Sequence, residues 1–281
     1  MQLGRQEAED TLSKAKKQWH DGESEREAQI RAQIGAEYAT DLQRTKSKLA
    51  EESTERRRLF NIVQELKGNI RVMARIRPMT ETEVASNCSL ITSFPDIDEV
   101  SIERPGKART QKYRFTRAFP PSTTQVQFFE EIEPLMTSVM DGYHVSVFAY
   151  GQTGSGKTFT MHGENVSNNE CCDEWGVAPR MLSGMFDTAK AMSDTMEYTF
   201  RLSFLEVYNE KAYDLLASNP HESEVEIRQN LSKVHISGAS VIAINSAEEA
   251  LTQLRKGMRH RAVVWLLTQQ LIRLHHMRTL C

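Results

Sequence analysis

The chain has 281 residues, of which 39% are hydrophobic and 26% charged, and its formal net charge is −3. The apolar content is enough for a folded core, while the near-balanced charge gives no general attraction to nucleic acid or to a membrane surface. No run of 18 apolar residues is present, and the N-terminus lacks the apolar segment of a signal peptide. We therefore expect a protein of the cytoplasm with no nucleic-acid and no membrane partner. The four cysteines lack metal-ligand spacing and predict neither a disulfide framework nor a zinc site.

Residues 1 to 67 contain no proline and few glycines, and their charged side chains are dense and of both signs. That composition favours a long solvated helix. A heptad pattern is persuasive over Leu59, Val63 and Leu66, whereas earlier seam positions include Glu52 and Arg56. We predict a helical stalk and neck that forms a coiled coil over 1–67. The alternative is a single charged helix or a partly disordered leader.

The next part of the chain alternates between strand and helix patterns. A strand is predicted from Ile70 to Ile76, where Pro78 stops it, and two more from Val100 to Arg104 and from Gln111 to Phe119. An apolar stripe at helical spacing predicts a helix from Thr124 to Met140, whose function is core packing.

The most informative stretch is a short apolar strand, Val145 to Tyr150, that leads into a glycine-rich loop. Gly151, Gly156, Lys157 and Thr158 have the G-x-x-x-x-G-K-[ST] spacing of a P-loop. Glycines let consecutive backbone N–H groups face an anion, and the positive end of the following helix adds to the field. Lys157 would reach the β- and γ-phosphates, and the Thr158 hydroxyl would be a Mg²⁺ ligand. The predicted phosphate-binding residues are Gly151, Gln152, Thr153, Gly154, Ser155, Gly156, Lys157 and Thr158.

The wider stretch from Asp141 to Gly163 closely resembles the kinesin motor signature, in which an Asp-Gly-Tyr turn leads into F-A-Y-G-Q-T-G-S-G-K-T-x-T-M-x-G. A second segment, Glu206 to Leu216, matches the family's E-x-Y-N-E-x-x-x-D-L-L. A third, Arg57 to Val72, resembles the neck of the C-terminal-motor class, kinesin-14. The resemblance implies a P-loop ATPase that is a microtubule motor, with minus-end direction. A catalytic role for Glu206 or Glu210 is one interpretation, and structural anchoring of a turn is the favoured one.

The resemblance also implies the adenine side of the site. In kinesins the first strand ends in R-x-R-P beside the adenine, and here Arg75, Arg77 and Pro78 occupy those places. Guanidinium and pyrrolidine faces can stack on a purine without reading its edge. Phe159, directly after the P-loop threonine, would supply the other stacking face. The implied cofactors are ATP and Mg²⁺, with Thr158 as the metal ligand.

Beyond the P-loop, a polar surface loop is predicted from Gly163 to Glu174, then a helix that follows Gly176. A strand is predicted from Tyr198 to Tyr208 and a helix from Ser246 to Met258, with Ser246 as its cap. Three short strands are predicted between them: Val225–Ile227, Val234–Ile236 and Ala239–Ile244.

The kinesin pattern stops near residue 263. Gly257 to Val263 begins the run that leads to the first switch motif, but Val264 to Cys281 departs from it, and neither N-x-x-S-S-R-S-H nor D-L-A-G-S-E is present. These segments sense the γ-phosphate and position the attacking water in P-loop ATPases, so no catalytic residue is assigned. A frameshift, a splice variant or a faulty gene model is our hypothesis for the tail. In the fold that the resemblance implies, the strand Val145 to Tyr150 loses both sheet neighbours, and we expect weak nucleotide binding and no ATP turnover.

Together these patterns predict an α/β fold, namely an incomplete P-loop NTPase kinesin-like motor core with a mixed central sheet, preceded by a long N-terminal helix or coiled coil. The predicted parts are 1–67, the stalk and neck; 68–263, the N-terminal part of a motor domain; and 264–281, a divergent tail. The implied partners are microtubules and a second copy of the chain, and the implied location is the microtubule cytoskeleton. A non-motor coiled-coil scaffold with a degenerate nucleotide site is the alternative. A different P-loop ATPase or kinase is less favoured, because a Walker B strand of its own is not found.

Overall fold

The computed structural model of the chain describes residues 2–104, 106, 110–164, 173–193, 196–230, 233–261 and 269–280. It forms two compact units, Met1–Asn69 and Ile70–Cys281. The predicted loop between Gly163 and Glu174 lies largely outside the described residues, as do Cys171, Cys172 and Cys281.

The first unit consists of one helix, α1, Gln2–Leu66. This confirms the predicted helix, whose 65 residues contain no proline and are mostly exposed. The apolar side chains of the predicted seam are solvent-exposed in the single chain: 52% for Leu59, 47% for Val63 and 81% for Leu66. Among the described helices, none is long and apolar enough to cross a membrane.

The second unit begins with short strands in two small sheets. Its first elements are β1, Met73–Arg75; α2, Glu81–Ala85; β2, Thr92–Asp96; β3, Glu99–Ile102; β4, Gln111–Arg114; and β5, Arg117–Phe119. Strands β1 and β5 pair in parallel, and β2, β3 and β4 form an antiparallel sheet. The single strand predicted over Gln111–Phe119 is wrong. It is divided between these two sheets, because Phe115 N–H donates to Asp98 O and Thr116 N–H donates to Val72 O.

The helix predicted from Thr124 to Met140 is two helices. The structure has α3, Gln125–Glu130; α4, Glu133–Met140; α5, Lys157–His162; and α6, Val177–Ala191. Pro134 lies in the first turn of α4, where a missing N–H is tolerated, whereas in a continuous helix its ring would clash with the preceding turn. Thr124 begins α3 with a capping box that includes Gln127.

The C-terminal half of this unit is built on one long strand. Its elements are β6, Met196–Tyr208; β7, Lys211–Asp214; β8, Glu224–Asn230; β9, Lys233–Ser237; β10, Ile242–Ile244; α7, Ala247–His260; and β11, Gln269–Leu280. The sheet order is β10-β6-β7-β8-β9, and β11 also pairs with β6. All these pairings are antiparallel. Ser246 caps α7 as predicted, since its hydroxyl accepts from Glu249 N–H at 3.1 Å.

The main core lies between β6 and the helices α4, α6 and α7. Leu202, Phe204 and Leu254 are fully buried there, packed with Met185 from α6. The backbone of α7 approaches β6 closely, because a Cβ on Gly257 would lie 2.2 Å from Phe204 Cδ1. Strand β6 is therefore packed closely against α7 at Phe204, two residues before Glu206.

Among the described residues Val145–Tyr150 is not a strand, whereas its lack of sheet neighbours was predicted from the sequence. It precedes the P-loop as expected, but in the described part of the chain it is not hydrogen-bonded into a sheet. Phe148 is 82% and Tyr150 101% exposed, while Val147 packs against the apolar cluster of Phe119, Phe128 and Val177. A strand needs a neighbour for its backbone N–H and C=O groups, and the described strands supply none at this place.

Candidate nucleotide-binding site

The P-loop glycines adopt conformations that require glycine or leave no room for a side chain. Gly154 and Gly156 have φ of +78° and +90°, and Gly156 is the N-terminal cap of α5. At Gly151 the reason is contact, because a Cβ would lie 2.5 Å from Ser155 Oγ. The loop from Gly151 to Thr158 is exposed or half-buried along its length. It is thus an accessible, tightly turned loop without side-chain bulk at its glycines.

The Lys157 side chain is hydrogen-bonded to the first residues of this loop. Its ammonium Nζ donates to Gly151 O and to Gln152 O, each at 2.8 Å. The loop is also held by Ser155 N–H, which donates to Gln152 O at 3.2 Å. The Lys157 ammonium is therefore held by two neutral carbonyl oxygens, with which phosphate oxygens could compete.

Thr158, the predicted metal ligand, has an exposed side chain at the start of α5. Its Oγ1 accepts from Arg261 Nη1 at 3.1 Å. Arg261, at the end of α7, also forms an ion pair with Glu206, with Nε 3.7 Å from Oε1. Glu206 is 2% exposed, so Arg261 supplies a positive charge to an otherwise costly buried carboxylate. Arg261 was not predicted as a site residue, although it is the arginine of the G-x-x-x-R run that begins at Gly257.

The predicted adenine side lies beside the P-loop. A Cβ on Gly156 would be 3.8 Å from Arg77 Cβ, and Pro78 is exposed. The Arg77 guanidinium forms a bidentate ion pair with Glu83 of α2, and this hydrogen-bonded pair lowers the pKa of Glu83 to about 2. Glu83 also accepts from Thr80 N–H at 2.8 Å, as part of a capping box that the sequence reasoning missed. Arg77 is therefore held in place by the turn that follows it.

Arg75 does not pair with Glu83 but contacts side chains of α3 and α5. Its guanidinium lies 4.7 Å from the ring centroid of Phe128 and 5.4 Å from that of Phe159. It also donates to side chains of α3 and α5, Gln125 and Thr160. The structure thus brings Arg75 and Phe159 together, as the sequence indicated. The guanidinium of Arg75 is bonded to side chains of α3 and α5 and contacts the Phe159 ring.

The second segment that resembles a kinesin motif, Glu206–Leu216, has a structural role in the described residues. Asn209 and Glu210 have φ of +48° and +64° and form the two-residue turn of the β6–β7 hairpin. Asp214 is 1% exposed, and its carboxylate accepts from Leu216 N–H at 2.9 Å and from Ser240 N–H at 2.7 Å. These contacts favour anchoring of a turn, the preferred interpretation from the sequence, over a catalytic carboxylate at Glu210.

Comparison with known proteins agrees with this geometry. The family model of the kinesin motor domain matches residues 75–275, a span that includes the P-loop and the helices α6 and α7. The chain belongs to the kinesin motor domain family. Its fold is accordingly a kinesin-like P-loop NTPase core preceded by a long helix, as the sequence predicted.

The relatives of this kinesin chain are of the kinesin-14 type. It is 40% identical to kinesin-like protein KIN-14G of Arabidopsis thaliana over 215 residues, which cover 74% of the chain and 21% of the relative. It is 38% identical to KIN-14E of Oryza sativa subsp. japonica over 221 residues, covering 78% and 20%. The chain therefore spans about a fifth of the length of the curated relatives it matches.

A solved structure supports the fold. This structure, described as that of a fast kinesin, superimposes with a TM-score of 0.67 at 29% identity, and the match covers 74% of this chain and 60% of the other. Its title concerns ATPase mechanism and interactions with microtubules. The motor domain identified here is of the kinesin-14 type, as the neck and P-loop signatures indicated.

Proposed function

We propose that this chain is the neck and the nucleotide-binding half of an ATP-driven, minus-end-directed microtubule motor of the kinesin-14 type. The observation that carries the proposal is the conformation of residues 151–158. Its glycines leave the backbone free of side chains, and Lys157 lies at its opening. This loop lies within the part of the chain that matches the kinesin motor domain.

The residues fit Mg·ATP. The loop Gly151–Gly156 would surround the phosphates with backbone N–H groups, Lys157 would exchange its two carbonyl partners for phosphate oxygens, and Thr158 would hold the metal. Arg77, Pro78 and Phe159 would flank the purine, and Arg75 contacts the Phe159 ring. When bound, Mg²⁺ would neutralise phosphate charge during phosphoryl transfer. The chain's own groups bind and orient the nucleotide, and within its 281 residues no general base is assigned.

The partners follow from the same family membership. We propose microtubules as the track, a parallel homodimer through the end of α1, and a location on the microtubule cytoskeleton. The exposed Leu59, Val63 and Leu66 support the dimer, because a helix in solution favours burial of such a stripe.

The proposal is tested by nucleotide binding. Titration of Mg·ATP into wild type and Thr158→Ala should show that loss of the hydroxyl weakens binding by about tenfold or more, the equivalent of roughly 1.5–3 kcal/mol for a bond to a charged group. Thr40→Ala, an exposed threonine of α1, is the matched control and should leave binding unchanged. Equal affinities of wild type and Thr158→Ala for Mg·ATP would refute the assignment.

A second candidate is a coiled-coil scaffold whose nucleotide site is degenerate. It is favoured by one observation: among the described residues, the segment Val145–Tyr150 in front of the P-loop has no strand partner, and its Phe148 and Tyr150 side chains are exposed. Titration of Mg·ATP into residues 1–281 distinguishes the two, because a degenerate site would bind no nucleotide, whereas ATP turnover would be absent in either case. We expect no stimulated turnover from these residues alone, because they hold neither switch motif. Stimulation by microtubules would show that those motifs are not needed.

A further inference from the structure

The Arg75 guanidinium is half-buried and contacts two helices of the fold, α3 and α5. Nη1 donates to Gln125 Oε1 at 2.8 Å and to Thr160 Oγ1 at 3.2 Å, and Nη2 donates to Thr123 O at 3.5 Å. Its faces meet Phe128 at 4.7 Å and Phe159 at 5.4 Å. A single side chain on β1 therefore touches the start of α3 and the first turns of α5.

This environment makes the contacts strong. Burial lowers the pKa of Arg75 from its ordinary value. Among the described residues its partners are amide, hydroxyl and carbonyl oxygens and aromatic rings, rather than a carboxylate. Cation–π contacts gain strength when the cation is shielded from water, and hydrogen bonds to a charged donor are stronger than neutral ones.

Gln125 completes a closed set of contacts. Its side chain is 4% exposed, and while Oε1 accepts from Arg75, Nε2 donates to Phe159 O at 2.6 Å. Both ends of this amide are therefore used. The main chain of Phe159 is held by Gln125, and its ring is held by Arg75.

Arg77 provides the contrast. Its guanidinium pairs with Glu83 on the outer side, next to the exposed Pro78 and the P-loop Gly156. We call the surface formed by Arg77, Pro78 and Gly156 the open wall of the site. Of the two arginines in the R-x-R-P segment, only Arg77 belongs to it. Arg75 instead contacts the Phe159 ring and Gln125.

We propose that Arg75 is a positioning residue. Together with Gln125 it fixes the first turn of the P-loop helix, and it acts on a bound nucleotide through Phe159 and the loop rather than by touching the purine. The proposal rests on the nucleotide site proposed above, but the geometry that it describes is present without nucleotide. Its failure can therefore be separated from the failure of that function.

The first test compares two ligands. Affinities for Mg·ATP and for inorganic tripolyphosphate with Mg²⁺ are measured for wild-type chain, Arg75→Ala and Arg77→Ala. A positioning role predicts that Arg75→Ala weakens both ligands by the same factor, roughly tenfold. Arg77→Ala, at the open wall, should weaken ATP more than tripolyphosphate. Loss of ATP affinity alone in Arg75→Ala would identify a direct purine contact and overturn the proposal.

The second test needs no nucleotide. Hydrogen–deuterium exchange of the peptide covering 157–164 should be faster in Arg75→Ala and in Gln125→Ala than in wild type or Arg77→Ala. If Arg75→Ala does not fold, Arg75→Lys and Thr160→Val decide, since each removes a defined part of the contact set. Unchanged exchange in the folded variants would overturn the proposal. Faster exchange in a chain that binds neither ligand would leave the positioning role standing and refute the nucleotide site.

Discussion

Lys157 Nζ donates to the carbonyl oxygen of Gly151, six residues earlier, at 2.8 Å. This bond joins the two ends of the P-loop, and a second bond to Gln152 O reinforces it. The ammonium thus has two neutral acceptors in the free chain. Phosphate oxygens are stronger acceptors for a cation, so the same geometry holds the side chain ready for exchange.

The first prediction is that Lys157→Ala abolishes most nucleotide affinity. It removes the cation that faces the phosphates, at an expected cost of about 3 kcal/mol, or roughly 100-fold in affinity. Titration of Mg·ATP measures the effect. Lys190→Ala, an exposed lysine of α6, is the control and should bind as wild type does. Binding by Lys157→Ala that matched the control would argue against a phosphate site.

The elements that the sequence predicted well are those whose signal is local. The helix α1 lacks proline over its whole length, Ser246 caps α7 with a hydroxyl, and the P-loop glycines have the positive φ that their spacing implies. The failures depend on tertiary partners. Val145–Tyr150 has a strand composition but is not a strand in the described residues, because the neighbours that the sequence analysis expected it to lose are absent there. The contacts of Arg261 and Gln125 were not predicted, since they join positions far apart in sequence.

A second prediction concerns acid stability. The ion pair with Arg77 lowers the pKa of Glu83 from 4.5 to about 2. Because the folded-state value is the lower one, the pair stabilises the fold fully above about pH 4.5, and that contribution is lost as the pH falls toward 2. Urea unfolding of wild type and Glu83→Gln across this interval should show a smaller pH dependence in the variant. Glu81→Gln, in the same helical turn, is the control, and equal pH dependence of Glu83→Gln and wild type would contradict the assignment.

A third prediction is that Asp214 is structural. Its buried carboxylate accepts from Leu216 N–H and Ser240 N–H, so Asp214→Asn replaces one accepting oxygen by a donor that faces another donor. The free energy of unfolding should fall by about 3 kcal/mol. Urea denaturation measures it, with the exposed Asp187→Asn as the control. A loss no larger than that of the control would show that this turn does not depend on the carboxylate.

A fourth prediction uses two helical glycines with opposite surroundings. A Cβ on Gly257 would lie 2.2 Å from Phe204 Cδ1, whereas nothing lies within 4 Å of a Cβ on Gly22. Gly257→Ala should therefore destabilise the second unit by about 1–3 kcal/mol through overpacking. Gly22→Ala should raise helix stability by about 1 kcal/mol, because alanine loses less backbone entropy. Thermal unfolding followed by circular dichroism tests both, and the same sign for the two variants would show that the close packing at Gly257 does not decide the outcome.

The last prediction concerns self-association through the end of α1. Burial of a side chain such as Leu59, Val63 or Leu66 contributes about 2 kcal/mol, whereas association itself costs about 4–15 kcal/mol. The short heptad pattern from Leu59 to Leu66 is therefore expected to give only a weak parallel dimer, because an isolated helix pair of that length is marginal.

Sedimentation equilibrium of the full chain over a wide concentration range measures this dimer. Leu59→Asp combined with Leu66→Asp should make the chain monomeric, since a carboxylate at each seam position would have to be buried in the dimer. Leu12→Asp is the matched control, because Leu12 is as exposed as Leu59, 58% against 52%. It also lies outside the heptad pattern of Leu59, Val63 and Leu66. Only monomer for the wild type at the highest concentration, or equal weakening by Leu12→Asp, would remove the dimer interface from this part of α1.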